Sequence, residues 1–318
     1  MRILVTTTSF QDTPGAHHDV LAASGFEIVR ARGPLGEDAL LSLLTGDGFD
    51  GLLNGDDAVT ARVIDAALPR LRVIAKYGIG LDSIDVAHAT ARGVPVLFTP
   101  GVNHTTVAEH TFGLMIALAK QFWPHLRATK AGQWTRITGS ELAGKRLALL
   151  GVGRIGKEVA RRAVAFDMAV VGHDPVWDEG FAAAHGIARA ASLDEAVRDA
   201  DVISLHMSLG ASNRGWLDGA RIATLKRGAL VINTARGGLV DEAAVAAGCV
   251  SGALGGYATD VLEHEPPPAD HPFRAIDNIL VTPHVGSRTF ESVERQGLRA
   301  ARNIVNFLSG NPDFVRAN

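Results

Sequence analysis

The chain has 318 residues, 47% hydrophobic and 20% charged, with a formal net charge of −3, the profile of an ordinary water-soluble protein with room for two domains. Its near-neutral balance, without a long run of one sign, excludes nucleic acid and membrane surfaces as expected partners. The single cysteine, Cys249, excludes an internal disulfide, and the opening MRILVTTTSF reads as a strand and not a leader, so a cytoplasmic protein is expected.

In chain order, the first hundred residues predict strands at 2–7, 26–31, 49–55, 72–78 and 94–100, with helices at 17–25, 37–46 and 59–69. Such alternation implies a parallel sheet covered on both faces. A helix over 103–120 follows, and Val107, Phe112, Leu114, Met115 and Leu118 cover most of its circumference. A helix this apolar is buried against another domain or subunit, and its apolar stretch 111–119 is too short to span a bilayer. The segment 141–166 then opens a second alternating series. Further strands are predicted at 169–175, 201–207, 228–236, 253–261 and 278–284, with helices at 192–200, 218–226 and 241–248. The last of these helices lies in a glycine- and alanine-rich stretch, 243–256, which should weaken it by about 1 kcal/mol per interior glycine. A final helix, 292–310, follows the last strand and is expected to return to the first domain. The predicted fold class is α/β, with two Rossmann-like, doubly wound parallel-sheet domains, the substrate domain being discontinuous: 1–100 plus 289–318, and 101–288.

The second series opens on LALLGVGRIG (147–156), a strand followed by Gly151-x-Gly153-x-x-Gly156 and an amphipathic helix. Gly151 permits the tight turn, Gly153 lets backbone approach a pyrophosphate, and Gly156 lets helix and strand pack closely. The N–H groups of Arg154 and Ile155 begin the helix, where its dipole favours an anion. Asp174 ends the next strand, 18 residues past Gly156. It is placed either to take the ribose hydroxyls of NAD and repel the 2′-phosphate of NADP, or simply to make a turn before Pro175.

Three polar residues stand at strand ends of this second domain: Arg236, Glu265 and His284. Doubly wound sheets bind ligands along that edge. In VTPHVGS (281–287), Pro283 ends regular pairing and Gly286 is expected to make a tight turn. Hydride exchange between NAD and a hydroxy acid needs a proton donor or acceptor, a cation for the carboxylate and carbonyl, and a group holding the donor. His284, Arg236 and Glu265 suit these roles in turn. Taken singly, each also reads as an ordinary structural or surface residue.

Six ordered blocks, KYGIGLDSIDVAHATARGVPV (76–96), TPGVNHTTVAEHTFGLMIALAK (99–120), LLGVGRIG (149–156), LVINTARGGLVDEAA (230–244), DVLEHEPPP (260–268) and VTPHVGS (281–287), make the chain resemble the D-isomer-specific 2-hydroxyacid dehydrogenase family. The resemblance spans nearly the whole sequence. It implies an NAD-dependent D-2-hydroxyacid dehydrogenase using Arg236, Glu265 and His284. Asp260 would hold the nicotinamide carboxamide, with His206, Thr234, Ala235 and Gly286 along the cofactor. Backbone around Gly78, at Ile79 and Gly80, would receive the substrate carboxylate. No metal site is implied, and the helix at 103–120 would belong to a homodimer formed through the nucleotide domain. The family's proline after the SLH strand is absent from 206–218, and the serine-sensing regulatory domain of some phosphoglycerate dehydrogenases is not expected. Substrate choice would rest on Asn54, Gly55, Lys76 and Tyr77; Lys76 serves either a substrate phosphate or an ion pair at the surface. Hydroxypyruvate, glyoxylate and 3-phosphoglycerate-type substrates remain open. So do an enzyme of the family oxidising phosphite or formate, and a non-enzymatic NAD-sensing corepressor. A cleft hinged near 99–103 and 286–291 is expected to close on ligand.

Overall fold

Short runs of valine, leucine and isoleucine become strands here because a parallel sheet sealed on both faces accepts little else. The computed structural model describes residues 1–46 and 48–318. The chain divides into two units, Met1–Asn103 with Arg288–Asn318, and His104–Ser287.

In the first unit, β1 (Arg2–Val5), β2 (Glu27–Arg30), β3 (Gly51–Asn54), β4 (Val73–Lys76) and β5 (Val96–Leu97) form a parallel sheet in the order β2-β1-β3-β4-β5. Side chains alternate between its faces. Leu4, Leu52 and Ile74 meet Leu40, Val63 and Ile64 of the helices Glu37–Leu44 and Ala61–Ala67. Val5, Leu53 and Val73 meet Ala300, Ile304 and Leu308 of the helix Phe290–Ser309. The final helix therefore completes the first sheet's core, and the unit is discontinuous in sequence.

In the second unit the strands are β6 (Arg146–Leu150), β7 (Ala169–His173), β8 (Ala188–Arg189), β9 (Val202–Leu205), β10 (Ala229–Asn233), β11 (Leu254–Thr259) and β12 (Ile279–Val281). Their order is β12-β11-β10-β9-β6-β7-β8, and all pairs are parallel. The helix His104–Ala119 packs Phe112, Met115 and Leu118 onto one face together with Val159 and Ala163 of the helix Arg154–Ala165. The helix Glu242–Ser251 packs on the other. Its buried Gly248 is not a mere weakness: a Cβ there would lie 3.2 Å from Ile222 Cγ2 and 3.3 Å from Leu254, so its absence permits the close approach.

Sequence patterning extends several strands too far. The segment predicted at 94–100 pairs only over Val96–Leu97, and 234–236 leave the sheet after β10. Four helices, Thr8–Asp12, Val86–Ala91, Phe122–Lys130 and Glu179–His185, lie outside the predicted set. Two carry legible caps, since Asp85 and Asp178 accept the N–H groups of His88 and Phe181. Among the described residues no helix is long and apolar enough to cross a membrane, and no three His, Cys, Asp or Glu side chains gather as metal ligands.

Candidate active site

The glycine turn follows β6. Gly151 has φ +97°, and a Cβ there would stand 2.6 Å from the backbone carbon of His206. A Cβ on Gly156 would run into the Gly151 carbonyl. Only glycines let this strand, turn and helix come so close. Gly153 caps the helix Arg154–Ala165 without a side-chain acceptor, so the first-turn N–H groups of Arg154 and Ile155 point outward with the positive end of the dipole. Asp174, just beyond β7, accepts from Val152 N–H at 2.7 Å and from Val176 N–H at 2.8 Å. It is thus a turn residue that also ties the glycine loop, with carboxylate lone pairs still to offer. His206 N–H donates to Leu150 O at 2.7 Å. Its Nε2 lies 2.9 Å from Ser204 Oγ, while its shielded Nδ1 has no hydrogen-bond partner among the described residues. Burial pushes this imidazole down to about 4, so it is neutral at physiological pH. Outward N–H groups, a cradle that a Cβ would fill and an orphaned ring nitrogen all fit a dinucleotide.

The ends of β10, β11 and β12, adjacent in the sheet, lead to Arg236, Glu265 and His284. Buried Asn233 organises the first segment: its Oδ1 accepts from Ala235 N–H at 3.0 Å and its Nδ2 donates to Arg236 O at 2.9 Å. Thr234 Oγ1 meets Thr111 Oγ1 at 2.9 Å, and Arg236 Nη1 donates to Ala235 O at 2.6 Å. Glu265 is fixed at one oxygen, where Oε1 accepts from Leu262 N–H at 2.8 Å. Its other oxygen, Oε2, lies 2.7 Å from His284 Nδ1, with the two side chains 36% and 42% exposed. The pair is oriented by the fold and partly exposed.

The turn after β12 differs from its expected form. His284, and not Gly286, takes the left-handed backbone, with φ +52°. Gly286 serves close approach instead: a Cβ there would lie 2.8 Å from Asp260 Oδ2. That carboxylate is nearly buried and accepts from Thr282 Oγ1 at 2.6 Å, Val285 N–H at 2.9 Å and Gly286 N–H at 2.7 Å. Asp260 therefore builds the histidine's turn, a role beyond the one the resemblance implies. His110 and Thr282 join the same cluster. Neither stands out in the sequence, where His110 is one of several polar positions in the first half of its helix.

The remaining predicted residues lie in the first unit. Tyr77 N–H donates to Asn54 O at 2.9 Å, and Gly78 N–H to Thr99 Oγ1 at 3.1 Å. Gly78 has φ +137°, and the N–H groups of Ile79 and Gly80 beyond it enter none of the surrounding backbone hydrogen bonds. Burial pushes the Tyr77 hydroxyl up to about 12. Lys76 is paired, but not at the surface: only 4% of its side chain is exposed, and Nζ donates to Gly55 O at 2.5 Å and Asp56 Oδ1 at 2.7 Å. Asn54 Nδ2 donates to Gly55 O at 3.0 Å, and its shielded Oδ1 has no hydrogen-bond partner among the described residues.

Residues 112–286 match the family described as D-isomer specific 2-hydroxyacid dehydrogenase, NAD binding domain. The chain is 40% identical over 250 residues to a hydroxypyruvate reductase of Thermotoga maritima, covering 77% of this chain and 80% of that one. It is 36% identical over 282 residues to a glyoxylate reductase of Thermofilum pendens, covering 86% and 79%. The crystal structure of the TT0316 protein from Thermus thermophilus superposes with a TM-score of 0.90 at 36% identity, over 100% of both chains. The glycine turn, the strand-end trio and these likenesses agree: the chain belongs to the D-isomer-specific 2-hydroxyacid dehydrogenase family and is an NAD-dependent dehydrogenase.

Proposed function

We propose that the protein reduces a small, unphosphorylated 2-keto acid of the hydroxypyruvate or glyoxylate type to the corresponding 2-hydroxy acid, the D isomer where the product is chiral, with His284 as the acid–base group. The observation that carries this reading is the 2.7 Å contact between His284 Nδ1 and a Glu265 carboxylate that is itself tied to Leu262 N–H. With Nδ1 held by Glu265, Nε2 is the ring nitrogen assigned to exchange a proton with the substrate oxygen. NAD, held by the 104–287 unit, supplies or takes the hydride. Arg236 binds the carboxylate through its planar fork and polarises the carbonyl. The 1–103 and 288–318 unit contributes substrate selection, with the N–H groups of Ile79 and Gly80 as carboxylate donors.

Lys76 supports the absence of a phosphate. A buried ammonium already paired with Asp56 and a backbone carbonyl has spent its charge, and the 69%-exposed Asp56 carboxylate repels a second anion. We also propose a homodimer through the second unit, where Phe122, Trp123, Leu126 and Trp134 are exposed. The test is a panel of 2-keto acids with NADH, read by absorbance, on the wild type and His284→Ala. General acid catalysis is worth about 10²–10⁴-fold, so kcat should fall by that much while NADH still binds. A folded His284→Ala protein with near-normal turnover refutes the assignment. A wild type that turns over no keto acid, but oxidises phosphite or formate or only binds NAD, refutes the activity.

A further inference from the structure

His110 lies outside the trio and the glycine turn, on the helix His104–Ala119. Its Nε2 is 2.9 Å from Thr282 Oγ1 and 3.3 Å from Asp260 Oδ1. Thr282 has one hydroxyl proton and directs it at the carboxylate, 2.6 Å away. The threonine oxygen therefore accepts from His110, and Nε2 carries a hydrogen toward the pair. Burial opposes the charge on Asp260, yet the hydrogen bonds from His110, Thr282, Val285 and Gly286 outweigh it and hold the carboxyl below its ordinary range.

The segment so tethered contains His284. Its backbone sits at φ +52°, a region that residues with a Cβ adopt at a cost unless their surroundings impose it. Its N–H donates to Asp260 O at 2.9 Å and Thr282 O at 3.0 Å, and the next two N–H groups donate to the Asp260 carboxylate. The direction of the imidazole toward Glu265 is thus set by a turn anchored on Asp260 and Thr282. His110 is the side chain that reaches both anchors from a helix on the sheet's face.

We propose that His110 is a positioning residue for the dehydrogenase reaction, acting through Thr282 and Asp260 to hold the turn that aims His284. The inference rests on the acid–base reading of His284. The test compares kcat, KM for hydroxypyruvate and NADH affinity (by nicotinamide fluorescence) in His110→Leu and His110→Gln. Leucine fills the space without a donor, whereas glutamine keeps an N–H at nearly the same reach. Expected are a kcat loss of about tenfold for His110→Leu, recovery to within about threefold for His110→Gln, and NADH affinity changed less than about twofold. In a His284→Ala background His110→Leu should cost nothing further, because the group it aims is gone. Equal losses in both backgrounds, or a loss wholly in NADH affinity, would overturn the inference. So would unchanged kcat in His110→Leu. Should that variant not fold, Thr282→Val breaks the same link from its other end and must show the same dependence on His284. A dead His284→Ala beside a normal His110→Leu sinks this inference alone; a fully active His284→Ala sinks the reading beneath it.

Discussion

Acid should unfold the second unit earlier than its carboxylates require, through His206. Burial lowers this imidazole from 6.5 to about 4 in the folded chain, with Nδ1 shielded and unpartnered. Between those two values the unfolded chain binds a proton that the folded chain refuses. Stability is therefore unaffected by this group above pH 6.5 and falls as the pH drops toward 4. The linkage gives a ceiling of about 2 kcal/mol lost by pH 5 and about 3 by pH 4. The residue is only partly covered, so about 1 kcal/mol at pH 5 is the expected reading after solvent screening. His17, also lowered by burial, titrates in the same direction but sits in the first unit. Tryptophan fluorescence separates them, because Trp123, Trp134, Trp177 and Trp216 all lie within His104–Ser287. Asp201 and Asp260, whose hydrogen bonds outweigh burial to keep them below 3.8, lose their contribution only at lower pH. Urea unfolding at pH 7.5, 6.0 and 5.0 should show the wild type losing more stability than His206→Gln, which keeps an amide to meet Ser204. Parallel pH dependence in the two proteins would refute the argument.

Two further outcomes follow from the charged groups. NADH should be preferred to NADPH, and Asp174→Ala should both narrow that preference and raise KM for NADH by about tenfold, since the carboxylate also ties Val152 N–H; equal use of both cofactors by the wild type would remove Asp174 from ribose selection. Asp56→Ala should uncover Lys76, raising kcat/KM for phosphohydroxypyruvate relative to hydroxypyruvate by about tenfold; an unchanged ratio would show that Lys76 does not face the substrate.

What the sequence discloses and what it hides divide along a physical line. Strand cores such as Arg146–Leu150 are legible because burial on both faces demands an unbroken apolar run, and the spacing of Gly151, Gly153 and Gly156 is legible because the steric need is local. The return of the helix Phe290–Ser309 to the first sheet could be inferred from a strand series that had already closed without it. The state of a charge is not local. Lys76 reads equally well as a phosphate ligand until Asp56, 20 residues away, is found against it. Nor is the state of a turn: Gly286 looks like the residue that bends, whereas the bend falls on His284 and the glycine makes room for Asp260. His110 and Thr282 are 172 residues apart, and no periodicity or propensity links them. A side chain's type can announce its chemistry, but its aim depends on tethers like these. Arg236, Glu265 and His284 can therefore be singled out from residue types at strand ends, while the groups that tether the turn of His284 come into view only with the fold.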